Sequence, residues 1–197
     1  MLTLEQGATL VKYARASVEA HLSGLEQDKK EFSFAAEKQG VFVTLLTCPA
    51  KELRGCIGFS EPVFSLGAAV AKAAVSAAVS DSRFPKVALG ELDKIVIELS
   101  VLTVPEKIVL GAGEKYEDKV TVGIDGLIIR RGFYSGLLLP QVPVEFGWDK
   151  KEFLMQVCIK AGFQPDEYLD GGTEIYKFQA QIFSEESPSG NVFEKVF

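Results

Sequence analysis

Val41-Phe-Val-Thr-Leu-Leu-Thr-Cys48, Pro49-Ala-Lys-Glu52 and Leu53-Arg-Gly-Cys-Ile-Gly-Phe59 follow one another without a break, and this stretch decides the fold. The first segment is rich in β-branched residues and predicts a strand. The second carries turn residues, and the third reads as a returning strand, so the three together predict a β-hairpin. Pro62 then suits the first turn of a helix continuing to about Ser80. The alanines of Leu66–Val79 offer so little bulk that this helix can approach a sheet closely. Asp81 to Pro85 ends it, because the residue before a proline disfavours helical geometry.

Further out, Ile95 to Leu102 is apolar on nearly both faces, as a central strand is. Val120 to Arg131 and Ser135 to Leu139 predict two strands joined through Gly132-Phe133-Tyr134. Asp125-Gly126 reads as a turn, and Gly111 to Gly113 as a loop. Asp149 is placed to cap a helix running to about Ala161 and stopped by Gly162. Glu174 to Phe183 predicts a last strand, with a loose tail after Glu185. At the other end Thr3 and Gln6 form a capping box, and Leu4, Val11, Ala14, Val18 and Leu22 recur at helical spacing up to Gly24. Strands joined by tight turns, with helices between them at irregular intervals, predict an α+β domain with a mainly antiparallel sheet flanked by helices.

The chain of 197 residues is 47% hydrophobic and 24% charged, which fits one domain able to bury a core without metal or disulfide staples. Its net charge of −6 argues against a phosphate-tracking surface and hence against nucleic acid. The Lys29-Lys30 and Arg130-Arg131 pairs are too short to change that, and each is expected on a solvated turn. Glu5, Lys12, Arg15 and Glu19 interrupt the apolar positions of the N-terminal stretch, so no signal peptide is expected, and Leu66–Val79, interrupted by Lys72, is too short to span a bilayer. Three cysteines without regular spacing make no disulfide framework. The expected setting is the cytoplasm, with no membrane partner.

The chemistry-bearing candidates centre on Leu53 to Gly58. Alternation along a strand puts Leu53, Ile57 and Phe59 on the core face and Arg54 and Cys56 on the other. A guanidinium two residues from a thiol favours the thiolate. Gly55 and Gly58 leave backbone uncovered, which admits either a ligand or another segment of chain. The competing reading is structural, with a buried cysteine and glycines that serve packing. Arg83 either complements a helix C-terminus or supplies a second anion contact beside Arg54. Glu98 and Ser100 interrupt the central strand on one face. Glu98 is either a general base or half of an ion pair with Arg54 or Arg83. Pro140 and Pro143 stiffen the backbone around Gln141 and Glu145, which then either face a cleft or form a buried connection into the helix at Asp149. His21, the lone histidine, and the scattered cysteines exclude the usual zinc spacings, so no metal is expected. Gly111-Ala-Gly113 lacks a dinucleotide fingerprint, and the cofactor stays open.

Leu53 to Gly58, Asp81-Ser-Arg-Phe-Pro85 and Gly136-Leu-Leu-Leu-Pro-Gln-Val-Pro-Val-Glu-Phe-Gly-Trp-Asp149 resemble the AMME chromosomal region protein family. Cys158-Ile-Lys-Ala-Gly162 and Ile175-Tyr-Lys-Phe-Gln-Ala180 are similar to its archaeal members in particular. The resemblance implies an α+β fold of a larger and a smaller subdomain within 1–197, with the cysteine strand near a groove between them. It also implies relatives encoded beside, or fused to, Memo-type and radical-SAM-type proteins. Two readings follow. One is an enzyme or enzyme subunit acting on a small anionic metabolite, with Cys56 and Glu98 catalytic and Arg54, Gly55, Gly58, Arg83, Gln141 and Glu145 binding. The other is a non-catalytic binding or adaptor module using the same groove.

Overall fold

A computed structural model describes residues 1–26 and 30–196. Lys29, half of the expected Lys29-Lys30 turn, lies outside the described residues. The chain divides into two compact units, Met1–Leu102 with Gln181–Val196, and Thr103–Ala180.

In the first unit, α1 (Leu4–Leu22) begins at Thr3, whose Oγ1 accepts from the Gln6 N–H while Gln6 Oε1 accepts from the Thr3 N–H. Two donors that the helix leaves unpaired are thereby satisfied. Val11, Ala14 and Val18 are buried as the spacing predicts, whereas Leu4 is exposed. Close packing starts one turn later, at Gly7, where an added Cβ would stand 2.3 Å from the Phe183 ring. The hairpin forms as read. β1 (Gly40–Thr47) pairs antiparallel with β2 (Leu53–Phe59), from Val41 opposite Phe59 to Leu46 opposite Leu53.

α2 (Leu66–Val79) starts later than Pro62 suggested. The Ser65 backbone bridges to Lys38, and Phe64 packs edge-on against Phe59 at 5.2 Å, so residues 60–65 stay non-helical. β3 (Ile95–Leu102) is buried at every position and pairs antiparallel with β1. Val41, Val43, Leu45, Ile97, Leu99 and Val101 share one core with α1 and α2, which fixes the helix-covered face of the sheet.

In the second unit, β4 (Glu106–Lys107) and α3 (Tyr116–Lys119) precede β5 (Gly126–Arg131) and β6 (Tyr134–Leu138). The predicted strand from Val120 therefore begins only at Gly126. Asp125 folds residues 121–125 into a turn, its carboxylate accepting from the Thr121 N–H and its own N–H donating to the Thr121 carbonyl. Arg130 and Arg131 sit on β5 and not on a solvated turn. The segment stiffened by the two prolines is helical, as α4 (Gln141–Phe146). Pro140 caps it and Pro143 lies in its first turn, where a missing N–H costs nothing. α5 (Lys150–Lys160) is capped by Asp149, which accepts from the Glu152 N–H, and ends before Gly162 at φ +82°.

The predicted last strand is two strands in different sheets. β7 (Glu174–Phe178) belongs to the order β4-β7-β5-β6. β8 (Ala180–Glu185) belongs to β2-β1-β3-β8-β9, where β9 is Val192–Lys195. Gln179 marks the break, its backbone exchanging hydrogen bonds with the N–H and Oγ1 of Thr103. The tail expected to be loose returns as β9, antiparallel to β8 with Glu185 opposite Val192. Both sheets are antiparallel and flanked by helices, so the fold is α+β as predicted.

Candidate functional site

The registers place three side chains in one row across adjacent strands. Cys56 on β2 stands opposite Thr44 on β1, and Thr44 stands opposite Glu98 on β3. Residues directly opposite have Cβ atoms about 5 Å apart, so the row is a line of close neighbours. It lies on the face turned away from α1 and α2, because the core residues of β1 and β3 are those flanking Thr44 and Glu98. Thr44 Oγ1 lies 3.3 Å from Cys56 Sγ and donates to it. Glu98 is only 7% exposed and pairs with Lys195 of β9 at 3.6 Å, not with Arg54 or Arg83 as the sequence suggested.

Asp81, which sequence reasoning used only as a helix stop, holds the site together. Its Oδ2 accepts from the Cys56 N–H at 2.9 Å and from Arg83 Nη2 at 2.7 Å. Its Oδ1 accepts from the Arg83 N–H at 3.1 Å and from Arg83 Nε at 2.9 Å. Arg83 Nη2 also donates to the Cys56 carbonyl. The Arg83 side chain is 55% exposed, and its Nη1 has no partner among the described residues. Arg83 therefore answers a buried carboxylate and not the helix terminus. A short polar residue directly after the Ala-rich helix was the available signal for Asp81.

Arg54 has a different task. Its Nε and Nη2 grip Glu91, while Nη1 and Nη2 donate to the carbonyls of Pro85 and Lys86. All its nitrogens are engaged, so it staples the 85–91 segment to β2. The two glycines are also committed to packing. A Cβ on Gly55 would stand 2.3 Å from the Ala77 carbonyl oxygen of α2. One on Gly58 would stand 2.3 Å from the Val41 carbonyl and 2.4 Å from the Phe42 ring. Of the two readings open for these glycines, close approach of other chain segments is what their surroundings contain.

Gln141 and Glu145 belong to α4 of the second unit. Glu145 is exposed, and Gln141 Oε1 is buried without a hydrogen-bond partner among the described residues. His21 is exposed in the last turn of α1. Among the described residues no group of three or more His, Cys, Asp or Glu is placed to hold a metal ion, and no helix is long and apolar enough to cross a membrane.

Burial pushes the Cys56 thiol above its ordinary value. The Thr44 hydroxyl and the Arg83 charge pull it down, while Asp81 and Glu98 push it up again. Cys56 alkylation by iodoacetamide, located by peptide mapping, should therefore show a pH midpoint above that of a free thiol at about 8.5. Arg83→Gln should raise the midpoint further and Glu98→Gln should lower it. A wild-type midpoint at or below the free-thiol value would contradict this electrostatic picture. Cys158 gives little interference, since burial holds its thiol at about 11.

Ile57 packs against the core from the opposite face of β2. Ile57→Ala should cost about 2–3 kcal/mol in urea unfolding, the low end for such a truncation because Ile57 is only partly buried. Cys56→Ala should cost about 1 kcal/mol or less. An equal loss for the two would make the thiol a packing element.

Comparison with known proteins places these features in a family. The AMMECR1 family model matches residues 11–183. Protein MJ0810 of Methanocaldococcus jannaschii is 52% identical over 199 residues, which cover 99% of this chain and 98% of that protein. Protein MK0488 of Methanopyrus kandleri is 50% identical over 197 residues, 98% of this chain and 95% of the relative. The crystal structure of protein PH0010 from Pyrococcus horikoshii superposes with a TM-score of 0.91 at 50% identity, covering 98% of each chain.

Proposed function

The chain belongs to the AMMECR1 family, and from that premise we propose that it is an enzyme, or an enzyme subunit, acting on a small anionic metabolite beside Cys56. The row Cys56–Thr44–Glu98 carries this reading. An apolar residue in place of Glu98 would spare the sheet the desolvation of a carboxylate, so a polar line kept across three strands points to chemistry. Arg83 contributes the anion contact. Asp81 fixes its Nε and Nη2, which leaves Nη1 for an acidic group. Arg54 is not part of this clamp, since its donors are spent on Glu91 and two carbonyls. Cys56 serves as a protonated thiol, and Glu98 is the base within its row. Memo-type and radical-SAM-type proteins, implied by the family resemblance, are the proposed working partners.

One observation favours the non-catalytic alternative: Arg54, Gly55 and Gly58 are accounted for by packing and stapling. Mass spectrometry of small molecules released from the purified protein separates the two. The enzyme reading expects an acidic metabolite that co-purifies with the wild type and is lost in Arg83→Gln. Repeated preparations of folded wild type without any such molecule would overturn it.

A further inference from the structure

The second unit contains a cavity of about 640 Å³ that the site around Cys56 does not use. Its wall includes Lys107, Arg130, Arg131, Gly171, Gly172, Thr173 and Glu174, with Ile108, Leu110 and Tyr116 as apolar surface. Hydrogen-bond donors without partners collect on one side. Thr173 is 6% exposed, yet its Oγ1 is buried with no partner among the described residues, which is costly unless something supplies one. The N–H groups of Gly171 and Gly172 donate to nothing among the described residues. Arg131 spends Nη2 on Glu167 at 2.6 Å and Nη1 on Asp170 at 3.4 Å, and its guanidinium lies over the Phe163 ring at 4.4 Å. Its Nε is thereby held in a fixed plane with no partner of its own among the described residues.

These donors are neighbours in space as well as in sequence. A Cβ on Gly172 would stand 4.0 Å from Arg131 Cδ, the atom bonded to Nε. The Thr173 N–H is tied to the Asp170 carbonyl, which sets the turn carrying the two glycines. Arg130 and Lys107 add positive charge to the same wall. Arg130 lies over the Tyr176 ring at 4.9 Å, and Lys107 pairs with Glu174.

We propose that this cavity binds a small phosphomonoester. Its phosphate is taken by Arg131 Nε, the Gly171 and Gly172 N–H groups and the Thr173 hydroxyl, and its organic body rests on Ile108 and Tyr116. Two features select phosphate over carboxylate. Four donors from different directions match three terminal oxygens better than two. Guanidinium, backbone N–H and hydroxyl donors are also the groups that recognise phosphate elsewhere.

Calorimetric titration of the full chain with phenyl phosphate, inorganic phosphate and benzoate tests the assignment. Phenyl phosphate should bind saturably and most tightly, inorganic phosphate more weakly, and benzoate at least about tenfold more weakly than phenyl phosphate. Thr173→Val should weaken phenyl phosphate binding about fivefold or more with an unchanged melting temperature, since the hydroxyl has no partner among the described residues to lose. Arg131→Lys keeps the charge but removes the Nε donor and should weaken binding about tenfold. Arg83→Gln, in the other unit, should leave binding as it is. The proposal is overturned by benzoate binding as tightly as phenyl phosphate, by the absence of saturable phosphate binding, by both cavity variants binding like wild type, or by loss of binding in Arg83→Gln.

Discussion

Arg15→Leu is expected to destabilise the protein by about 3–5 kcal/mol, the largest effect of any single substitution considered for this chain. Arg15 lies in α1 and is only 6% exposed, and Glu185 at the end of β8 is 1% exposed. Nε donates to Glu185 Oε1 at 2.7 Å and Nη2 to Oε2 at 2.5 Å, a two-pronged pair. The remaining reach of the guanidinium is used on the carbonyls of Leu92 and Ile95, and Glu185 Oε2 also accepts from the Ile97 N–H. Arg15 therefore joins the helix to the start of β3 and to β8 at once. Replacing it with leucine strands a carboxylate in the interior and removes the guanidinium donors from the Leu92 and Ile95 carbonyls. The double variant Arg15→Leu/Glu185→Leu should recover at least about 1 kcal/mol of the loss, because no buried charge is then left unpaired. Urea unfolding of the two proteins measures both values. A loss under about 1 kcal/mol for Arg15→Leu would mean that water reaches Glu185, and the pair would then be no more than a surface bridge.

Asp81→Asn should cost about 2–3 kcal/mol at neutral pH, and the cost should depend on pH in a defined direction. The change keeps the shape but turns one acceptor oxygen into a donor that faces the donors of Cys56 and Arg83. The Arg83 guanidinium, with further help from the Cys56 and Arg83 N–H groups, holds the Asp81 carboxyl far below the ordinary carboxylate range, against the opposing effect of burial. Its folded value is thus depressed below the unfolded value of about 3.9. Such a group contributes its full stabilisation above the unfolded value and loses it as pH falls through the folded one. The gap in stability between wild type and Asp81→Asn should accordingly be constant above about pH 5 and shrink steadily toward pH 2. Because Arg83 is half exposed, solvent screens part of its attraction, which keeps the expected cost below that of the Arg15 pair. A gap that stays level down to pH 2 would show that the carboxylate charge contributes nothing. The same variant should lower the alkylation midpoint of Cys56, since Asp81 raises it.

Local signals in the sequence determined the elements whose causes are themselves local. The capping box at Thr3, the Asp149 cap and the Gly162 stop depend on atoms within four residues of each other, and they form as read. The β1–β2 hairpin and the fully buried β3 follow from composition and alternation, so the α+β class was legible without any long-range information. Strand alternation likewise placed Cys56 and Ile57 on opposite faces. What tertiary structure decided is where each extended segment goes and which charges meet. Residues 174–185 alternate without a glycine or proline, yet they serve two sheets. The bonds between Gln179 and Thr103, 76 positions apart, mark where they part. Arg15 looked like one more charge on an amphipathic helix because its partner is 170 residues away. Arg54 and Arg83 were grouped as a clamp for anions, but Glu91 and Asp81 divide them between different tasks. Charge pairing acts through space over a few ångströms, and a sequence carries no measure of that distance until its strands have found their register.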